Sequence, residues 1–197
     1  HKFHGPKGIG GMFIKGGAPY TTLIHGSKNV MGGKRAGSLY NNGVAAMAKA
    51  VELANINLSF IDHTTQAQRD RLEDALLAIP DTKSYVPRVK RLKNLVAMSF
   101  RGVEGESMLW DMNVNGIYIS TGSSCSSEDL EGSAVVEALG EVTEIANTTV
   151  MFALSKFTTD EEIDYVIEKV TTAVARIREI SMTYAKQEAF SQYVEDH

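Results

Sequence analysis

The sequence has little of what builds a covalent or metal-bound framework. Its 197 residues include a single cysteine, Cys125, which excludes both an internal disulfide and a cysteine-based zinc cluster. No apolar run approaches the length that spans a membrane, and the first residues lack the basic, apolar and small-residue segments of a signal peptide. The net charge of -4 argues against a nucleic-acid-binding surface. These absences predict a cytoplasmic protein that binds neither membrane nor nucleic acid.

What is present is the composition of an ordinary globular protein. Hydrophobic residues make up 43% of the chain and charged residues 22%, which is enough to bury a core. The best candidate for a domain boundary is Asn55-Ile56-Asn57, where the apolar pattern is interrupted. The first residue is His1 rather than methionine, from which we expect a processed or truncated polypeptide.

Apolar periodicity predicts the order of helices and strands. Strands are predicted at 12–15, 21–24, 94–100 and 117–119, a buried helix at 39–54, and further helices at 64–79, 106–113 and 134–139. A capping box, Thr159 with Glu162 three residues later, begins a long helix with one apolar stripe. Arg69 and Glu73 are expected on the solvent side of the 64–79 helix, whereas Trp110 is expected to pack in the core.

The residues around Cys125 predict an accessible thiol. The stretch 120–127 has the sequence STGSSCSS, a composition that cannot pack a core and favours a solvated loop. It follows a predicted strand, so the loop is anchored at its root. A nearby cation would raise the thiolate fraction and make Cys125 a nucleophile. The alternative is a free surface cysteine without a role.

Two glycine-rich segments suggest contacts with a ligand. Segment 1–11, HKFHGPKGIGG, lets the backbone turn tightly beside a ligand, although a plain glycine-rich turn fits the pattern as well. Segment 21–38 leads from a predicted strand into glycines and two basic residues, Lys34 and Arg35. Backbone N–H groups together with cations favour a phosphate. The alternative for this segment is a solvated basic turn.

Several blocks of sequence, in order and spacing, resemble one family. They are HKFHGPKGIG at 1–10, RAGS at 35–38, GVEGES at 102–107, the cysteine loop and FTTDEEIDY at 157–165. They are similar to blocks of the cysteine desulfurases of the NifS/IscS type, pyridoxal-phosphate enzymes of the class V aminotransferase fold. The resemblance implies the C-terminal portion of such an α/β protein of fold type I. Residues 1–57 would then end the large cofactor domain, and residues 58–197 would form most of the small domain.

The same resemblance implies a role for four residues. Lys2 would carry pyridoxal 5'-phosphate as a Schiff base, and His1 would hydrogen-bond the cofactor phosphate. Ser38 would reach the phosphate bound to the other subunit of a homodimer. Cys125 would attack the sulfur of L-cysteine, which leaves L-alanine and a persulfide on Cys125. An iron–sulfur scaffold or another acceptor protein would collect that sulfur.

The chain also departs from the family pattern. Met151 stands where the family has an arginine that pairs with the substrate carboxylate, and losing such a partner costs about 2–5 kcal/mol of binding. Lys156 or Arg35 could substitute, and Met151 could equally be a core residue. The histidine that stacks on the cofactor ring and the aspartate that holds its nitrogen are missing, so we expect an incomplete site. A selenocysteine lyase, another class V aminotransferase relative, and a non-enzymatic sulfur carrier or scaffold-docking fragment stay open as alternatives.

Overall fold

The chain folds into two compact units. A computed structural model describes residues 1–121, 133–181 and 184, and the units are His1–Leu58 and Ser59–His197. The assignment of residues 1–57 and 58–197 to a large and a small domain stays a prediction. In the described part, no single helix is long and apolar enough to cross a membrane, and one bent pair of consecutive helices meets that criterion by length and composition alone.

The first unit contains one long helix and little other regular structure. Helix α1, Asn41–Ile56, confirms the helix predicted at 39–54. The strands predicted at 12–15 and 21–24 are wrong, because residues 1–58, all of which are described, contain no strand. Met12 and Phe13 are 82% and 90% exposed. A strand needs a neighbour that satisfies its backbone groups, and this unit offers none.

Helix α1 is not covered within its own unit. Gly43 is its only buried residue, and a Cβ at Gly43 would lie 2.3 Å from the Tyr40 ring. Only glycine therefore fits beneath that ring. Val44 and Val51 stay 45% exposed, so the prediction of a helix was correct and the prediction of its burial was wrong.

The second unit is built on a four-stranded antiparallel sheet. Its strands are β1 (Thr82–Ser84), β2 (Leu95–Phe100), β3 (Ser120–Thr121) and β4 (Thr149–Ala153), in the spatial order β1-β2-β4-β3. Ser99 of β2 pairs with Thr149, and Thr121 of β3 pairs with Val150. The strand predicted at 94–100 is confirmed. The strand predicted at 117–119 is wrong, since pairing begins only at Ser120.

Helices flank this sheet, and four of them confirm the helices predicted at 64–79, 106–113, 134–139 and from Thr159, whereas the short helices Leu58–Phe60 and Thr143–Ala146 were not predicted. They are α2 (Leu58–Phe60), α3 (Gln66–Leu77), α4 (Gly105–Val114), α5 (Ala134–Ala138), α6 (Thr143–Ala146) and α7 (Asp160–Ile180), with a π-helical turn at Ile61–Thr65. Helix α7 begins with the predicted capping box. The Glu162 N–H donates to Thr159 Oγ1 at 3.2 Å, and the Thr159 N–H donates to the Glu162 carboxylate at 2.9 Å.

One face of the sheet carries the main core. Val150 and Phe152, alternate residues of β4, belong to it, and they pack with buried side chains of α3, α4 and α7. These helical residues are Leu72, Leu76, Met108, Met112, Ile163, Val170 and Val174. The apolar stripe predicted for the long helix is thus confirmed at its centre, and it explains why α7 docks along its length.

A smaller cluster lies on the other face of the sheet. Ala97, which alternates with core residues of β2, packs here against Tyr85, Val136 and Ala146. The Tyr85 hydroxyl is 2.7 Å from Ser99 Oγ, which is itself 2.7 Å from the Thr149 hydroxyl. This chain of buried hydroxyl groups satisfies polar atoms that would otherwise be costly to bury.

Three side-chain predictions are wrong. Arg69 and Glu73 are 0% and 2% exposed instead of lying on the solvent side of α3. Glu73 is paired with Arg88 and Arg91, from the connection between β1 and β2, and periodicity within a helix cannot reveal such distant partners. Trp110, expected in the core, is 68% exposed because Met108 and Met112 take the inward positions of α4.

Candidate active site

His1 and Lys2 lie in a turn at the start of the first unit. The His4 N–H donates to the His1 carbonyl at 3.0 Å, and His4 has a left-handed φ of 64°. The side chains of His1 and Lys2 are exposed. The turn therefore leaves an imidazole and a primary amine accessible from solvent, and an accessible amine is what condensation with an aldehyde requires.

A glycine holds this turn close to helix α1. A Cβ at Gly5 would lie 3.1 Å from the Phe3 ring and 3.5 Å from the Ala50 Cβ. The backbone at Gly5 thus runs in contact with α1, and a larger residue would displace Phe3.

A glycine-rich loop, residues 22–36, precedes helix α1 and is closed by two hydrogen bonds. The Thr22 hydroxyl donates to the Gly33 carbonyl at 3.3 Å, and the Ala36 N–H donates to the Ile24 carbonyl at 3.1 Å. Gly33 has a φ of 78°, in the left-handed region that favours glycine. The loop is therefore a set of tight turns in place of the predicted strand, and Lys34 and Arg35 are exposed in it, as the alternative of a solvated basic turn predicted.

Ser38 lies at the end of this loop, beside its two cations. Ser38, Lys34 and Arg35 are all exposed, and exposed cations next to glycine N–H groups suit a phosphate. Among the described residues, no hydrogen bond joins the Ser38 side chain to His1 or Lys2. The phosphate-binding roles of His1 and Ser38 stay predictions.

Cys125 falls in segment 122–132, which lies outside the described residues. The two ends of the segment are described. Thr121 pairs with Val150 in the sheet, and Ser133, which precedes α5, is 4% exposed. The chain is thus fixed to the second unit on both sides of the cysteine, while the predicted accessibility of the thiol stays a prediction.

Gly105 brings helix α4 against the root of the cysteine segment, a role that the sequence analysis missed. Its N–H donates to the Asn147 carbonyl at 2.9 Å. A Cβ at Gly105 would lie 2.9 Å from that same carbonyl oxygen and 3.2 Å from Thr121 Cγ2. Only glycine allows this approach, and the GVEGES block was the signal that could have shown it.

Met151 occupies the central strand β4 next to the cysteine root. Its backbone partners are Ala97 on β2 and Ser120 on β3, and its side chain is half-buried on the face away from the main core. A thioether cannot pair with a carboxylate. Of the candidate replacements, Lys156 lies over the Phe157 ring at 5.0 Å, and Arg35 belongs to the first unit.

Comparison with known proteins gives one consistent result along nearly the whole chain. Residues 1–166 match the family model for aminotransferase class V. Cysteine desulfurase 2 of Trichormus variabilis is 41% identical over 182 residues, and cysteine desulfurase IscS of Clostridium botulinum is 39% identical over 184 residues, each match covering 92% of this chain. The chain covers only 45% and 46% of those two proteins, so it spans less than half of their length.

Solved structures show the same fold. A NifS-like protein superposes with a TM-score of 0.78 at 29% identity, covering 89% of this chain and 44% of that one. A NifS-like protein from Rickettsia africae superposes with a TM-score of 0.68 at 22% identity over 78% of this chain and 39% of that chain, a likeness of fold alone. These superpositions confirm the predicted α/β fold of the class V aminotransferase type.

Proposed function

Because this chain belongs to the aminotransferase class V family, we propose that it forms part of a cysteine desulfurase, which removes sulfur from L-cysteine and leaves L-alanine. The observation that carries the proposal is the similarity to two cysteine desulfurases, 41% and 39% identical over 92% of the chain. The family match over residues 1–166 also includes every block on which the sequence resemblance rests.

Class V aminotransferases in general depend on pyridoxal 5'-phosphate, and the residues of the first unit fit that group by their chemistry. Lys2 offers an exposed amine that can condense with an aldehyde, and His1 and Ser38 offer exposed donors for a phosphate. We assign these three residues to the cofactor. Bound pyridoxal phosphate would draw electrons away from the amino acid, so that its C–S bond can break.

Cys125 would accept the sulfur of the substrate. The C–S bond of L-cysteine breaks while an S–S bond forms on Cys125, so the products are L-alanine and a Cys125 persulfide. The proton lost by the Cys125 thiol balances the one gained at the alanine carbon. The Lys2 amine, when it is not bound to the cofactor, is the base that would move protons on the substrate.

A homodimer, an iron–sulfur scaffold as sulfur acceptor and a cytoplasmic location complete the proposal. The dimer is supported by the uncovered apolar surface of the first unit, where Leu23 and Ile56 are 89% and 67% exposed. The acceptor is supported by chemistry, since a persulfide passes its outer sulfur to another thiolate by exchange. The cytoplasmic location is supported by the single cysteine, which must stay reduced to act as a nucleophile.

Borohydride reduction followed by intact mass spectrometry tests the cofactor assignment. After incubation with pyridoxal phosphate, the 197-residue chain should gain the mass of a single phosphopyridoxyl group, and Lys2→Ala should gain none. Lys7→Ala changes an exposed lysine of the same segment and is the matched control, expected to keep the adduct. An adduct that persists in Lys2→Ala would place the cofactor elsewhere.

Alanine release tests the reaction. The isolated chain should release no L-alanine from L-cysteine until the rest of the site is supplied, for which the N-terminal part of the Trichormus variabilis relative is the natural choice. The complemented protein should release L-alanine and carry a persulfide, both of which Cys125→Ser abolishes and Ser123→Ala preserves. Faster release from L-selenocysteine than from L-cysteine would favour the selenocysteine lyase alternative.

A further inference from the structure

Acidic residues are concentrated in one stretch of the second unit. Residues 102–155 contain nine aspartates and glutamates and no lysine, arginine or histidine, although the whole chain has 20 lysines and arginines. This stretch includes helices α4, α5 and α6, strands β3 and β4, and the cysteine segment. The charge of the chain is therefore divided unevenly, and the surface built from these elements has no positive side chain of its own.

Two glutamates of this stretch line an open cleft between α4, α6 and the end of α7. Glu104 is the residue before α4, and Glu144 lies on α6. The cleft has a volume of about 460 Å³, and Ser107 and Asn147 add a hydroxyl group and an amide to its lining. The polar side of the cleft thus offers several oxygen acceptors, two of which carry negative charge.

The apolar side of the cleft comes from Val103 and from the last turns of α7. Ile177 is 7% exposed, whereas Ile180 is 73% exposed, and both line the cleft. The apolar wall therefore continues from the protein interior out into solvent. A guest that joins a cation to a hydrocarbon stem, as arginine and lysine side chains do, would contact both the carboxylates and this wall.

The two glutamates have no counter-charge within the part of the chain that the structure describes. The ion pairs that acidic residues of 102–155 form there are Glu141 with Lys83 and Asp111 with Arg176. Glu104 is the N-cap residue of α4, but its side chain makes no capping hydrogen bond. The side chains of Glu104 and Glu144 are exposed, so both carboxylates are accessible to a cation from solution.

The arginines nearest to the cleft are directed elsewhere. Arg178 follows Ile177 on α7, but its Nε donates to the Arg101 carbonyl at 2.9 Å, and its guanidinium lies over the Tyr184 ring at 4.7 Å. Arg101 precedes a residue of the lining, but neither arginine lines the cleft. The negative charge of the cleft is therefore not neutralised from its rim.

The cleft adjoins the root of the cysteine segment. Gly105, the residue after Glu104, donates its N–H to the Asn147 carbonyl at 2.9 Å. A Cβ at Gly105 would lie 3.2 Å from Thr121 Cγ2. Because Glu104 and Asn147 both line the cleft, a molecule seated there would lie beside the strand from which the cysteine segment leaves.

We propose that this cleft is a docking site for a partner protein that presents an arginine or lysine beside aliphatic side chains. Charge complementarity selects this partner, because a cation between Glu104 and Glu144 gains two counter-charges while its stem packs on Ile180. A metal ion is not favoured, because the described residues contain no group of three side chains that could hold one. The inference does not depend on the desulfurase proposal, which neither predicts nor requires the cleft.

Binding of a defined peptide by the 197-residue chain tests the proposal. The probe is the synthetic peptide acetyl-Gly-Leu-Arg-Arg-Leu-Gly-amide. Its counterpart carries citrulline, which is neutral and nearly the same shape, in place of both arginines. In an amide chemical-shift titration, the arginine peptide should perturb residues 102–107 and 144–148, and it should bind about tenfold more tightly than the citrulline peptide. Glu104→Gln and Glu144→Gln should each lower its affinity by about fivefold.

Glu106→Gln is the matched control. Glu106 is an exposed glutamate of the same stretch that does not line the cleft. Its removal should therefore change the affinity by less than about twofold, because a charge outside the contact is screened by salt. All three substitutions change exposed side chains, so thermal melts should match that of the wild type.

Several results would overturn the proposal. Three concern the peptide, namely the absence of shifts at 102–107 and 144–148, equal binding of the citrulline peptide, and a loss of affinity in Glu106→Gln as large as in Glu104→Gln. Tighter binding of spermidine than of the peptide would assign the cleft to a small polyamine, and the same shifts at a lower concentration of magnesium chloride would assign it to a metal ion. Self-association in sedimentation that Glu104→Gln abolishes would assign it to a second copy.

Discussion

The two units differ in how far they bury their own apolar side chains. Among the described residues, every buried apolar side chain lies in the second unit, from Leu72 onward, whereas α1 in the first unit buries only Gly43. Burial is the main favourable term in folding, so the second unit has a core that supports its own fold, whereas the first unit buries no apolar side chain of its own. The residues assigned to the cofactor, Lys2 among them, belong to the first unit. Matched substitutions in the two units test this difference.

The largest difference in stability loss is expected between a substitution of Glu73 and the same substitution of Glu52. Glu73→Gln leaves Arg91 buried without its counter-charge, which should cost about 3–5 kcal/mol of unfolding free energy. Glu52→Gln breaks a pair with Lys49 whose side chains are 56% and 60% exposed, so it should change stability by less than about 1 kcal/mol. Urea unfolding followed by circular dichroism measures both. Equal losses would contradict the contrast.

Glu73 also predicts how stability depends on pH. Burial would raise the pKa of Glu73, but hydrogen bonds from Arg91, Ser84 and Arg88 outweigh it and lower the pKa from 4.5 to about 2. A carboxylate with a lowered folded pKa stabilises fully above its unfolded pKa and loses that contribution as the pH falls. About 3 kcal/mol should therefore disappear between pH 4.5 and 2. Unfolding curves across that range should lose this slope in Glu73→Gln.

Leu→Ala substitutions should distinguish α3, whose apolar side chains are buried, from α1, whose apolar side chains are exposed. Leu76→Ala, in α3 at 0% exposure, should cost about 2–5 kcal/mol. Leu53→Ala, in α1 at 39% exposure, should cost less than about 1 kcal/mol in the isolated chain. If the rest of the relatives' length covers α1, the cost of Leu53→Ala should rise when that part is supplied. An unchanged cost would show that this side of α1 stays exposed.

Replacing each of two glycines by alanine should give a difference in stability loss of intermediate size. Gly105→Ala would place a methyl group 2.9 Å from a backbone oxygen, and such overpacking costs about 1–3 kcal/mol. Gly16→Ala meets nothing within 4 Å and should be nearly neutral. Chemical unfolding measures both effects, and the reactivity of Cys125 toward a thiol reagent should change only in Gly105→Ala. Matched melting behaviour in the two variants would show that α4 can move away.

The smallest difference in stability loss is expected between the threonine that caps α7 and an exposed threonine of the first unit. Thr159→Ala removes the capping box of α7 and should cost about 1 kcal/mol. Thr21→Ala changes an exposed threonine of the first unit and should alter stability by less than about 0.5 kcal/mol. The thermal midpoint of the chain is sufficient to detect the difference. A neutral Thr159→Ala would show that packing alone positions α7.

The sequence predicted elements whose signals are local. The capping box at Thr159 and the apolar stripe that follows it are read within a single helix, and α7 formed as expected. The strand at 94–100 carries a continuous apolar run, and it too is confirmed. Local sequence patterns cannot show which segments will pair with residues far away in the sequence. The apolar residues at 12–15 therefore predicted a strand, but no partner strand is present for them in the described part of the chain.

The same limit explains the errors in side-chain burial. Helical periodicity placed Arg69 and Glu73 in solvent, because Arg88 and Arg91, the partners that allow Glu73 to be buried, lie in a different element. The candidate site was predicted from family blocks instead of periodicity. Its residues Lys2, His1, Ser38 and Cys125 accordingly stay predictions about chemistry, to be decided by the adduct and persulfide experiments.

Thr121 is paired with Val150 in the sheet, and this limits how far the only thiol of the chain can lie from strand β3. Cys125 follows Thr121 by four residues, and fully stretched backbone advances at most about 3.6 Å per residue. The Cys125 Cα therefore cannot lie more than about 14 Å from the Thr121 Cα, at the end of β3. Under the proposed function, the molecule that gives sulfur to Cys125 and the protein that accepts it must both approach within that distance of β3.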